Sequence, residues 1–287
     1  MLKALDRLLA PSRPAASPAP AHSARPVKPV APSRDALQLG SQQWYYRGIS
    51  QGFQVNWTSR DLEAWRAQDF SQTQPTFSLR RNFTAPCVEG DIRCMGESET
   101  RAELTAQVGR TLGYLETTGG YVPGAAHPWA NTTFSTVDME TGKPLSLTDV
   151  FSKEALYQAL MKDKLVKQAL GGAKPADFDA LVEALHGKAA PDFSYRFSRE
   201  MFQNFTFNHL EGNQVAVRMA VPYGVEAWRG TLTQLGLLLP MSALKGVVSE
   251  TDLRRAADRT AGILWSEASK IGQETSIEMK NGVPEGR

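Results

Sequence analysis

Seven of the 17 prolines in this chain of 287 residues lie in one early stretch, between Pro11 and Pro32. Residues 11–36 otherwise consist mainly of Ala, Ser and basic residues with almost no large side chains. Such a segment cannot bury enough surface to offset the entropy that it would lose on ordering. The sequence therefore predicts a disordered Pro/Ala-rich tether over residues 1–38 and places the folded part after it.

Charge is divided unevenly between the tether and the rest of the chain. Residues 1–38 carry six basic and two acidic residues, a net charge of +4, whereas the whole chain carries +2. The remainder therefore has a net charge of −2, with both signs interspersed. Because nucleic-acid-binding proteins concentrate Lys and Arg on one face, this distribution argues against nucleic acid as a partner.

Two further observations concern the membrane and export. No run approaches the 18 to 20 or so apolar residues that a transmembrane helix needs, so we expect a protein that does not span the membrane. Residues 1–10 contain three charged residues and no continuous apolar stretch, which is unlike a secretory signal. Either the protein stays inside the cell or residue 1 is not its natural start.

Apolar and polar residues alternate in several segments, and this pattern predicts half-buried strands. The clearest is 99–108, with Ala102, Leu104, Ala106 and Val108 on one face and polar residues on the other. Other predicted strands are a hairpin around 48–52 and the segments 76–83, 111–117, 132–138, 193–197, 204–208 and 214–221. Predicted helices are 62–70, 152–170, 176–186 and 249–269, with Ser152 as an N-cap and Gly171 at a stop.

Strands followed by helices and then by more strands are typical of an α+β domain rather than of a regular βαβ array. We expect one such domain over residues 39–270, followed by a polar tail over 271–287.

Two cysteines, Cys87 and Cys94, lie seven residues apart across a turn. With no other cysteine in the chain, this spacing favours a disulfide over a metal site, and a disulfide would indicate an oxidising compartment.

Evidence for catalysis is weak. The segment 48–52, Gly-Ile-Ser-Gln-Gly, matches the nucleophile elbow, in which a serine lies on a strand-to-helix turn. Aromatic alternation continues after it, however, so a hairpin turn is the better interpretation of Ser50. The histidines outside the tether, His127, His186 and His209, have no metal-binding spacing. Acids in the candidate set Asp138, Glu140 and Asp149 lie at turns or before a helix, where they accept backbone hydrogen bonds. We expect no catalytic residue, metal or cofactor.

A binding surface is better supported. Most aromatic side chains fall at strand positions that alternation buries, but Tyr121 and Trp129 lie in a predicted loop beside Gly119 and Gly120. Aromatic side chains give large contact areas at low entropic cost. We therefore expect Gly119, Gly120, Tyr121, His127 and Trp129 to form a ligand-binding loop.

Two series of motifs resemble the RsiV-like domain family. The first is Thr-Gly-Gly-Tyr-Val-Pro-Gly-Ala-Ala-His-Pro at 118–128, then the Thr-Gly-Lys turn at 141–143 and Leu-Thr-Asp-Val-Phe at 147–151. The second is Phe-Thr-Phe at 205–207 and the segment 221–230, which are similar to the closing strands of the family. The resemblance spans roughly residues 75–245. The insertion before His127 lengthens the family's Gly-Gly-Ala-His loop.

The resemblance implies an α+β fold with a curved antiparallel sheet packed by helices, in bacterial envelope or secreted proteins. In lysozyme-sensing anti-sigma factors this domain is an extracytoplasmic ligand-binding module, and the family has no agreed catalytic residues. We therefore expect a non-enzymatic, periplasmic or secreted binding protein for a protein ligand, such as a lysozyme-like muramidase, or for peptidoglycan. Two alternatives remain: a serine esterase that uses Ser50, and an immunity protein against a wall-degrading toxin.

Overall fold

The computed structural model describes most of the chain from residue 38 onward. The described residues are 38–39, 42–58, 61–69, 71–79, 97–121, 124, 127–225, 231–258, 263–264, 276–280 and 283–284. Residues 1–37 of the predicted tether lie outside them. Cys87 and Cys94 also lie outside them, so the disulfide remains a prediction.

The described strands form three antiparallel sheets of five strands each. The N-terminal sheet comprises, in spatial order, β1 (Gln38–Leu39), β2 (Gln42–Ser50), β3 (Phe53–Thr58), β4 (Leu62–Arg66) and β5 (Phe77–Ser78). The central sheet comprises β6 (Glu97–Val108), β7 (Thr111–Tyr121), β8 (Trp129–Asp138) and β9 (Lys143–Pro144), with β13 (Ile263–Leu264) beside β6. The C-terminal sheet comprises β10 (Phe205–Glu211), β11 (Gln214–Val221), β12 (Thr231–Pro240), β14 (Ser276–Lys280) and β15 (Val283–Pro284).

Five short α-helices accompany the sheets in the described residues. They are α1 (Leu147–Val150), α2 (Lys153–Leu160), α3 (Lys164–Leu170), α4 (Phe178–Leu185) and α5 (Glu250–Ala257). The architecture is therefore α+β, as predicted, and it is rich in sheet. The expectation of one curved sheet packed by helices was too simple, because the described strands are divided among three sheets.

The N-terminal sheet confirms the predicted hairpin and corrects the predicted helix at 62–70. β2 and β3 are joined by the two-residue turn Gln51–Gly52, with Ser50 paired to Phe53. The segment after β3 is the strand β4, which pairs along β3 and buries Leu62 and Ala64. A helix there would have left the β3 edge unpaired and would have broken this alternation.

The central sheet contains a bulge at Thr105, so the buried positions in β6 differ from those that the alternation predicts. The pairing with β7 shifts between Leu104 and Ala106. Leu104 therefore packs toward the N-terminal sheet, whereas Ala106 packs in the main core on the opposite face. A one-residue shift moves every later side chain to the other face. For that reason Thr105 and Gln107, which the alternation placed on the polar face, are both buried.

The central sheet lies between the two other sheets. On one face, Leu112 and Tyr114 pack with Val55 and other residues of the N-terminal sheet. On the other face, the Thr105 Oγ1 lies 2.6 Å from the Thr206 Oγ1 of β10. Gly113 permits this approach, because a Cβ there would lie 2.5 Å from the Thr206 Oγ1.

Helices α2 to α4 join the C-terminal sheet in the largest core. Ser152 is the N-cap of α2, as predicted, and Gly171 ends α3 in a left-handed conformation. The predicted single helix over 152–170 is broken between them, since the buried Asp163 accepts a hydrogen bond from Val166 N and starts a new helix.

The C-terminal part differs from the predictions in three places. The predicted helix over 249–269 ends at Ala257, and Ile263–Leu264 pairs with β6. Within the predicted polar tail, Ser276–Lys280 pairs with β12. The predicted strand at 193–197 is reduced to a single bridge between Ala189 and Arg196. The hairpin of β10 and β11, by contrast, is confirmed.

Candidate functional site

The ends of three paired strands extend beyond the buried core of the central sheet. In β7 residues 111–116 are buried and residues 117–121 are not, and in β8 no residue before Phe134 is buried. Residues 97–101 of β6 continue the pairing beside β7. Five residues of strand measure about 17 Å. We call these strand ends, 97–101, 117–121 and 129–133, the blade.

Tyr121 and Trp129 are the large side chains exposed on the blade. Tyr121 is 45% exposed and Trp129 is 39% exposed. Trp129 pairs with Gly120, the residue before Tyr121. Because paired residues share a face and neighbouring residues alternate, the two aromatic side chains lie on opposite faces of the blade.

The predicted loop residues are therefore brought together, but mostly within strands. Gly119, Gly120 and Tyr121 belong to β7 and Trp129 belongs to β8, whereas the sequence predicted a loop over 119–128. A Cβ at Gly119 would lie 3.3 Å from the Trp129 carbonyl oxygen, so glycine allows the two strands to approach closely here. His127 is exposed beside Trp129 at the end of the hairpin.

A buried carboxylate lies at the base of the blade. Glu116 pairs with Ala102 and Thr133, next to the Trp57 indole, whose Nε1–H donates to the Ala102 carbonyl at 3.1 Å. Burial raises the pKa of Glu116 to about 7. Burial, together with the Glu116 charge, also raises the pKa of Tyr114.

Sequence reasoning missed Glu116, although a signal was present. Leu112, Tyr114 and Glu116 are alternate residues of one strand, so an acid there continues an apolar face.

Ser50 lies at the end of β2 in the tight hairpin. The turn that follows contains Gln51 and Gly52, both with positive φ, and leads into β3. A nucleophile elbow instead joins a strand to a helix. Among the other predicted candidates, His186 ends helix α4 and is exposed, and the His209 Nε2 lies 3.0 Å from Glu211 Oε1.

Two of the three turn acids, Asp138 and Asp149, accept backbone hydrogen bonds as predicted, whereas Glu140 forms ion pairs. Asp138 accepts a hydrogen bond from Glu140 N at 2.9 Å and pairs with Arg110 at 3.3 Å. Glu140 also pairs with Arg110, at 3.1 Å. Asp149 accepts a hydrogen bond from Ser146 N at 2.7 Å and forms the capping box of α1.

A cleft of about 630 Å³ lies at the other end of the central sheet, beside the turn that contains Arg110. Arg66 contributes a second cation, which lies 3.6 Å from Glu140 and over the Phe53 ring. Asp69 also lines this cleft. The two guanidinium groups already face carboxylates, so the cleft offers no surplus positive charge to an anionic ligand.

In the part of the chain that the structure describes, no group of three or more His, Cys, Asp or Glu side chains is arranged to hold a metal ion. No helix among the described residues is long and apolar enough to cross a bilayer.

Comparisons with known proteins give limited information. No family model matches this chain, and no curated protein matches it. A DUF3298-family protein from Pseudomonas aeruginosa is 18% identical with a TM-score of 0.29, over 62% of this chain and 75% of that chain. A DUF3298-family member from Bacteroides fragilis is 18% identical with a TM-score of 0.26, over 52% of this chain and 55% of that chain. Scores this low carry no argument about fold or function.

Proposed function

We propose that this chain is a non-enzymatic binding protein of the bacterial periplasm or exterior, which recognises a protein ligand through the blade. The observation that carries the proposal is the exposure of Tyr121 and Trp129 on opposite faces of strands that extend beyond the buried core. Exposed aromatic side chains of this kind dominate binding energy in protein interfaces.

The arrangement of the two rings favours a concave partner. A flat partner surface would contact one face of the blade and leave the other ring in water. A cleft contacts both faces at once. Muramidases bind a polysaccharide chain in a cleft with paired carboxylates, so a lysozyme-like muramidase fits this geometry, and the resemblance to the RsiV-like domain family supports the same partner. Peptidoglycan is the second candidate ligand.

The proposal is tested by the affinity of a purified lysozyme-type muramidase for blade variants. We expect the wild-type chain to bind and the double variant Tyr121→Ser/Trp129→Ser to bind at least about 30-fold more weakly, since an interfacial aromatic hot spot contributes about 2 kcal/mol or more. Ile49→Ser is the matched control, because Ile49 is 64% exposed but lies beside the β2–β3 turn.

Two results would overturn this proposal. Equal affinities of the wild type and the double variant would remove the blade from the interface. Binding of the wild type to insoluble peptidoglycan but not to the muramidase would replace the protein ligand by the cell wall.

The two other functions stay as alternatives. A serine esterase would need Ser50 as nucleophile, and the hairpin around Ser50 lends this function no support. It predicts ester turnover that Ser50→Ala abolishes. An immunity protein would use the blade on a wall-degrading toxin, so the same blade variants test it with such a toxin as the probe.

A further inference from the structure

Phe193 combines two unfavourable features. Its backbone φ is +59°, in the left-handed region, which a bulky residue other than glycine rarely adopts. Its side chain is 55% exposed, so the conformation is not compensated by deep burial of the ring. A residue with these properties weakens the fold on its own, which points to a role outside folding.

Phe193 lies in a turn between Ala190 and Tyr195, and the surrounding structure holds this turn in place. Phe193 N donates to Ala190 O at 2.9 Å, and Ala190 N donates to Tyr195 O at 3.0 Å. Arg196 N donates to Pro222 O at 2.8 Å, beyond the end of β11. A Cβ at Gly224 would lie 2.5 Å from Phe193 O. The turn is therefore fixed by its own hydrogen bonds and by close contact with another segment, and it presents the ring in one position.

This turn lies at the same end of the fold as the blade. Leu115 and Phe134, the last buried apolar residues before the blade, form a small core with Ala220 and Leu232. Ala220 lies at the end of β11, and the chain continues from there to Gly224, which contacts the Phe193 turn. The next residue, Val225, is also an exposed large hydrophobic residue.

The charges around Phe193 indicate the chemistry of a partner. Lys188 and Arg196 are exposed on the two chain segments that lead to the turn, and the exposed Asp192 directly precedes Phe193. The Arg196 Nε–H donates to Gly187 O at 3.3 Å. Neither cation forms an ion pair with any carboxylate of the described residues. The described charges around Phe193 therefore sum to a net positive charge, and apolar side chains with such a border complement an apolar pocket bordered by carboxylates.

We propose that Phe193 anchors a second contact surface, formed with Val225, Lys188 and Arg196, that binds an apolar pocket bordered by carboxylates on the partner protein that receives the blade. This inference rests on the proposed function. It adds an anchor to the interface and assigns a charge to the partner's surface.

The test uses Phe193→Asn, because asparagine tolerates the left-handed conformation. We expect the melting temperature to rise by about 2–4 °C, since removing strain of the usual size has this effect in a domain of this length. We expect the affinity for the lysozyme-type muramidase to fall at least tenfold. Ile49→Asn, which also replaces an exposed apolar residue, controls for lost hydrophobic surface.

A second variant tests the charges. Lys188→Gln/Arg196→Gln should reduce the association rate and its dependence on salt, because exposed cations at an interface steer an acidic partner. An association rate equal to that of the wild type would contradict the proposed charge of the partner's pocket.

The outcomes separate this inference from the proposed function. If the blade variant loses affinity while Phe193→Asn binds like the wild type, the second surface is wrong and the blade stands. A lower melting temperature for Phe193→Asn would show that the ring supports the fold and would also overturn the inference. If the wild-type chain does not bind the muramidase, the proposed partner and this inference both fail.

Discussion

Glu116 shows how a single residue couples this fold to pH. Burial raises the pKa of its carboxyl group from 4.5 to about 7. Among the described residues no cation and no hydrogen-bond donor compensates the charge. The folded protein therefore holds this proton more tightly than the unfolded chain does. Stability contributed by Glu116 is present at low pH and is lost as the pH rises from about 4.5 through 7.

Glu116→Gln should remove this pH dependence. At pH 8.5 we expect the variant to be more stable than the wild type by about 2–3 kcal/mol. This is the order of magnitude of the free energy that corresponds to the pKa shift of Glu116. At pH 5, where the wild-type carboxyl group is protonated, the two proteins should agree within about 1 kcal/mol. Urea denaturation at several pH values measures both quantities.

Glu154→Gln is the control for this prediction, because Glu154 is exposed on α2. It should leave the pH dependence of stability unchanged. A Glu116→Gln variant that is less stable than the wild type at pH 8.5 would contradict the account, because it would mean that the charged carboxylate is stabilised in the fold.

The sequence predicts some of the exposed residues of the proposed interface and not others. Tyr121 and Trp129 stood out because they are aromatic beside a double glycine, and both are exposed. Phe193 did not stand out, because alternation around it matched a buried strand. Its left-handed φ depends on contacts with Gly224 and Pro222 that are distant in sequence. The local pattern of apolar and polar residues predicts burial well. It does not predict backbone strain that tertiary contacts impose.

At the level of elements, Asp252 joins helix α5 to two hairpin turns. Its Oδ2 accepts hydrogen bonds from Ser249 N at 3.0 Å and from the Ser249 hydroxyl at 2.6 Å, and Asp252 N donates to Ser249 Oγ at 3.1 Å, which completes the capping box of α5. Its Oδ1 accepts a hydrogen bond from the Gln51 amide of the β2–β3 turn. Gly109, in the β6–β7 turn, packs closely against the same carboxylate.

Asp252→Ala should therefore cost more than the loss of an ordinary N-cap. We expect a loss of about 2–3 kcal/mol, because the variant removes the N3 carboxylate of the capping box and leaves the Gln51 amide without its partner. Asp177→Ala is the control, since Asp177 is an exposed N-cap whose Oδ1 accepts a hydrogen bond from Ala180 N at 2.9 Å. This control variant should lose about 1 kcal/mol of stability. Thermal or urea denaturation measures both. Equal losses would show that Asp252 acts only within the capping box.

Elements with clear end signals were predicted well and the others were not. Ser152 and Gly171 mark helix ends correctly, and the β10–β11 hairpin follows its turn residues. The segment 62–70 was assigned to a helix because five residues of strand alternation are too few to decide between periods. The bulge at Thr105 leaves no mark in the pattern, because its register is set by pairing with β7.

Across the whole fold, the exposed large hydrophobic residues are not spread evenly. Of the five among the described residues, Tyr121, Trp129, Phe193 and Val225 lie at the blade end. The fifth, Ile49, lies beside the turn at the opposite end. The sequence predicted the first two as a pair and could not add the others, because only the packing of the C-terminal sheet on the central sheet brings them to one end.

The central claim is that the blade enters the partner's surface, and site-specific photo-cross-linking tests it most directly. A photoreactive phenylalanine analogue is placed singly at positions 121, 129 and 49, and each protein is irradiated with the lysozyme-type muramidase. We expect cross-links to the muramidase from positions 121 and 129, on the two faces of the blade, and none from position 49. Cross-linking from position 49 with none from 121 and 129 would contradict the account.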